Sequence, residues 1–85
     1  ASDIGVFSVT GTGDAGTKIA NEPVKSLDFV SGVTAAVVYF VAAYDYKGFK
    51  VAGVDVTTAG VDVVADGATL YTATLSGGTV TIAAV

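Results

Sequence analysis

Apolar and polar positions alternate in short stretches along this chain, and glycine-rich breaks separate the stretches, a pattern that predicts strands rather than helices. The exception is residues 33–43, VTAAVVYFVAA, where eleven positions carry no charge. A run this short does not cross a bilayer as a helix, which takes about 20 apolar residues. Ala35, Ala36, Ala42 and Ala43 would suit a helix, but four valines, Tyr39 and Phe40 lose rotamer freedom there and pack well on a pleated surface. The run therefore predicts the central strand of a sheet, buried on both faces, with a second layer or another copy of the chain covering the far side.

In chain order, residues 4–10 (IGVFSVT) predict a first strand with Gly5 as its weak point. Residues 10–23 carry Gly11, Gly13 and Gly16 among Thr, Asp, Asn and Pro23, and read as a long loop or arm. These glycines have the GxGxxG spacing of a phosphate cradle, but no helix pattern follows and no βαβ unit is there for them to open. Residues 24–30 predict a half-buried strand with Leu27 and Phe29 inward and Asp28 outward. Asp45, Tyr46, Lys47 and Gly48 predict a turn, after which residues 49–52 return antiparallel to the end of the long strand.

Residues 53–56 and 60–63 repeat Gly-Val-Asp-Val, the only internal repetition in the sequence. The spacing predicts two arms of one hairpin, with loop 57–60, valines inward and Asp55 and Asp62 in water. Asp55, Asp62 and Asp66 lack the DxDxDG spacing of a calcium loop, so no metal site is expected. Asp66-Gly67 predicts a turn. Residues 68–75 and 80–85 then predict a hairpin closed by Gly77-Gly78, with Leu70, Thr72 and Thr74 on one face and Tyr71, Ala73 and Leu75 on the other. Residues 80–85 read as a bare edge strand open to another chain.

Composition turns this pattern toward assembly. In 85 residues, 52% are apolar and 14% charged, and mean hydropathy is +0.69. A domain this small buries only about 60–65% of its unfolded surface. Cys and His are both absent, which removes disulfides and the commonest zinc ligands as staples and leaves self-association, or permanent docking on a larger partner. Four Lys against eight acidic residues give a net charge of -4, so no basic patch forms for nucleic acid. No Lys-rich amphipathic helix or signal peptide is visible, and membrane insertion is not expected. Ala1 fits either removal of an initiator Met or a trimmed signal sequence.

Catalysis is not expected. Without His, Cys or Arg, what remains is Ser, Thr, Lys, Glu22 and seven Asp, and a carboxylate pair would need a cleft that so small a domain rarely encloses. No cofactor is implied. Tyr44, Tyr46 and Phe49 gather at one predicted sheet end, as aromatic packing or as a contact site. The expected contact residues are Tyr39, Phe40, Tyr44, Tyr46 and Phe49, with Phe7 and Ile19 fixing the arm.

The expected fold is all-β: one domain over 1–85, a small antiparallel sandwich or barrel of seven or eight short strands, with strand and arm over 1–23 and a β body over 24–85. The Gly/Thr arm at 10–23, the Ala/Gly/Val/Thr-rich body at 24–85, the lack of Cys and the acidic balance together resemble the small decoration (cement) proteins of tailed-phage heads. That resemblance implies a homo-oligomer at the virion surface, bound between major capsid subunits and stabilising the shell. The alternatives are a pilus or fimbrial subunit with residues 80–85 as donor strand, and an extracellular or cell-surface module, immunoglobulin-like or carbohydrate-binding.

Overall fold

The computed structural model describes residues 6–51 and 53–85. Among them there is no helix; nine strands form two sheets. These are β1 (Val6–Val9), β2 (Gly13–Ile19), β3 (Ser26–Phe29), β4 (Val33–Val41), β5 (Gly48–Val51), β6 (Val54–Asp55), β7 (Thr58–Gly60), β8 (Leu70–Ser76) and β9 (Thr79–Ala84). One sheet has the order β1-β3-β5-β6, the other β2-β4-β8-β9-β7.

The first five strands alternate between the sheets and wind like a solenoid. β1, β3 and β5 stack in parallel, with Val6 beside Ser26 and Ser26 beside Gly48. β2 lies parallel to β4, with Thr17 beside Val37 and Ile19 beside Tyr39. One coil therefore takes 20 to 22 residues. Parallel neighbours need a long return path, and here each sheet supplies the return for the other. The winding stops after β5, where Gly53 at φ +80° turns the chain into β6, antiparallel to β5. β8 then enters antiparallel to β4.

All-β character is as expected, but the wholly antiparallel arrangement is not: four of the seven strand pairings among the described residues are parallel. The count is nine rather than seven or eight, and the solenoid-like winding makes neither a clear sandwich nor a closed barrel. Half of the predicted arm is strand, because β4 offers β2 a partner that local sequence does not show; Gly13 and Gly16 take positive φ at its irregular register. β5 does not return along β4; it joins β3 in the other sheet. Nor do the two Gly-Val-Asp-Val copies pair with each other. β6 belongs to one sheet, β7, inside the predicted loop, belongs to the other, and Val54 and Val61 are exposed rather than inward. Ile4, Gly5 and Ala52, placed in strands by the sequence reading, lie outside the described residues.

Two expectations are met closely. Leu27 and Phe29 are buried in β3. β8 and β9 form the predicted hairpin, with Ser76 opposite Thr79 and Gly77-Gly78 at φ +59° and +80°, the two positive values of a type I′ turn. β9 is not an edge, however: β7 lies against its far side.

The core fills the space between the sheets. Val9, Leu27, Phe29 and Phe49 come from one side, and Ala36, Val38, Phe40, Tyr71, Leu75 and Ile82 from the other. Phe40 is its aromatic centre, 5.5 Å edge-on from Phe49, 5.9 Å from Tyr71 and 6.4 Å from Tyr46 between centroids. The buried Tyr71 keeps its hydroxyl satisfied by accepting the Val64 N–H at 2.9 Å.

Candidate functional site

β4 is closed on one face only. Ala36, Val38 and Phe40 point into the core, while Ala35, Val37, Tyr39 and Val41 stand half-buried on the outer face, which no other part of the described chain overlies as a layer. This departs from a strand covered on both sides. Register carries the outer face across the sheet in rows, since directly paired residues share a face. Ile19, Tyr39, Thr72 and Ala83 make one row; Thr17, Val37, Thr74, Thr81 and Ala59 make the next. Val41 and Leu70 sit beyond Tyr39, and Asp14, Ala35, Ser76 and Thr79 close the other end. Ile19 is 65% and Leu70 42% exposed.

Charge is all but missing from these rows. Asp14, at the β2 corner, is their one charged member among the described residues, and its Oδ1 already accepts the Gly16 N–H at 2.8 Å. The outer face of the other sheet is built differently. Ser8, Asp28, Lys50 and Asp55 line up across β1, β3, β5 and β6. Lys50 Nζ lies 3.4 Å from Asp55 Oδ1, and Asp28 Oδ1 is shielded with no hydrogen-bond partner among the described residues. One broad face thus carries the charges expected of a solvated surface, and the other carries Val, Thr, Ala, Ile and Tyr.

The predicted contact residues divide accordingly. Ile19 and Tyr39 come together on the charge-free face. Phe40 and Phe49 are buried, and Tyr46 is half-buried against both, so these three build the core rather than a surface. Burial drives the Tyr46 phenol far above its ordinary pKa. Phe7 packs half-buried against the core from β1. Tyr44 stands alone at 85% exposure on the turn closed by the Tyr46 N–H and Ala43 carbonyl at 3.0 Å, next to the Lys25–Asp45 ion pair at 3.1 Å. Val37, Val41, Thr17 and Thr81 escaped the sequence reading, and Thr72 and Thr74, grouped there with Leu70 on one face, were not seen as part of a contact surface, although their phase, opposite to Tyr71, was there to be read.

A second feature is a cleft of about 410 Å³ at the β6–β7 end, walled by Phe49, Val56 and Ile82 with Asp55 and Asp62 among its lining. The repeated Gly-Val-Asp-Val thus lends a carboxylate from each copy to one opening. Asp66 is engaged elsewhere: its carboxylate accepts the Ala68 and Thr69 N–H groups and the Thr69 hydroxyl, which hold its pKa below the ordinary value. Among the described residues no three acidic side chains gather where a metal ion could sit.

No family model matches this chain, and neither a curated protein nor a solved structure is detectably similar to it.

Proposed function

We propose that this chain is a non-enzymatic structural assembly protein, a decoration or cement subunit that seats as a small oligomer between major capsid subunits and stabilises a virion shell. The single observation carrying this reading is the contrast between the two outer faces. A broad sheet face whose one charge, Asp14, sits at a corner costs free energy while it faces water, and its burial at about 25 cal/mol per Å² supplies affinity once association costs are met. Small, flat side chains on strands suit permanent contact better than reversible recognition, which draws on pockets and charged anchors. A pilus subunit is a weaker fit, since residues 80–85, its candidate donor strand, are largely taken up by β9 between β7 and β8. A carbohydrate-binding module keeps one supporting observation, Tyr39 bordered by Thr72 on a flat face.

The test is made on purified virions. Antibody against the protein is expected to label the outside of shells in electron micrographs, and stripped shells are expected to melt at a higher temperature once the protein is added back. Unlabelled virions and an unchanged shell melt would end the proposal, and retention on immobilised polysaccharide would favour the module instead.

A further inference from the structure

We infer that the occupant of the charge-free face is a second copy of this chain, packed face to face about a two-fold axis; the inference rests on the assembly reading and names its first partner. A two-fold contact sets a patch against itself, so the patch must tolerate its own chemistry. Val37, Thr74 and Thr81 at its middle bring no like charges together, and the only charged member of the rows, Asp14, lies at a corner. The net charge of -4 per chain would oppose pairing if it were spread evenly. The rows hold little of it: Asp14 is their one charge among the described residues, while Asp28, Lys50 and Asp55 lie on the opposite face of a body whose least extent is 20 Å, beyond the screening length of about 8–10 Å at physiological salt.

Area points the same way. Five strands at about 4.8 Å spacing, read over about six residue steps, give a face of roughly 24 by 20 Å. Two such faces remove on the order of 1,000 Å² from water, the lower bound of a specific interface. The side chains are short enough for the usual sheet-on-sheet spacing of about 10 Å, with Tyr39 and Ile19 as the projections that fill it. A foreign partner is selected largely by charge pattern, and these rows carry only Asp14; a hollow of about 310 Å³ beside Thr17, Val37 and Thr74 is open and lined mostly by small side chains, where a projecting side chain of a second copy can seat.

Light scattering after size-exclusion chromatography over a dilution series decides it. The parent is expected at twice the chain mass. Val37→Lys and Thr81→Lys, each placing a charge in the paired rows, are expected to run as monomers with dissociation constants raised at least about 100-fold. Ser8→Lys, on the charged face, is expected to stay dimeric. Near-UV circular dichroism of the tyrosines reports folding; should Val37→Lys lose it, Thr81→Lys, at an exposed position, carries the decision. A parent that is monomeric throughout, or a Thr81→Lys variant as dimeric as the parent, overturns the inference. If that monomeric parent binds shells and Val37→Lys does not, the assembly reading survives without the dimer. A dimer that Thr81→Lys splits but that never binds shells leaves the dimer and removes the shell.

Discussion

At Gly60 the backbone holds φ +93°, and a Cβ added there would collide with the Ile82 carbonyl oxygen. That oxygen accepts the Val61 N–H at 3.0 Å, so the missing side chain is what lets β7 close on β9. Gly60→Ala is expected to lose about 3 kcal/mol or more, from left-handed strain and forced separation together. Gly53→Ala, at φ +80° with open space around it, is expected to lose about 1 kcal/mol, the conformational part alone. Urea unfolding of the two variants separates the causes. Tyr46 makes a different residue-scale statement. Its folded pKa lies above the unfolded value of about 10 because burial disfavours the phenolate. The stability it contributes is therefore complete below about pH 10 and drains away as pH climbs toward the folded value. Tyr46→Phe removes that term, so its urea midpoint is expected to fall less steeply than the parent's above about pH 10; parallel slopes would contradict the burial argument.

Elements differ in how much of their own structure they encode. The β8–β9 hairpin is local: a two-residue turn with both φ positive sets its register, and Gly77-Gly78 announces it. Gly77→Asn is expected to leave the melting temperature nearly unchanged, since Asn-Gly suits the same turn. Gly78→Val, a β-branched residue at φ +80°, is expected to cost about 1–2 kcal/mol or more. β2 is the opposite case. Gly13, Asp14 and Gly16 disfavour a strand on propensity, and only the parallel partner some twenty residues on supplies the hydrogen bonds that make one. Loop composition was a sound reading of those residues by themselves and still gave the wrong element. The Gly-Val-Asp-Val copies failed for a related reason: seven-residue spacing fits a hairpin, but Gly53 and Gly60 turn the two copies toward different sheets.

For the whole molecule, burial was legible in part and connectivity was not: β4 is covered on one face rather than two, and Val54 and Val61 face water. The phase of Leu27 and Phe29 marks both for the core, and Tyr71, Ala73 and Leu75, which phase groups on one face without saying which, are buried together. Of the cluster expected from Tyr44, Tyr46 and Phe49, the last two do meet, but Phe40 rather than Tyr44 completes the group, and it lies in the core instead of at a surface. Nothing local distinguishes a strand that will pair in parallel from one that will pair antiparallel, so the coil stayed hidden behind ordinary alternation. Of the charge-free face, Ile19 and Tyr39 were named, while the flanking valines and threonines needed the register to bring them into rows. The coil has a consequence for descent. A chain that advances both sheets by one strand every 20 to 22 residues can gain or shed a whole winding in a single duplication or deletion, keeping every inward position inward. Relatives of different length would then differ by multiples of that step, and the width of the flat face would change with them one strand at a time.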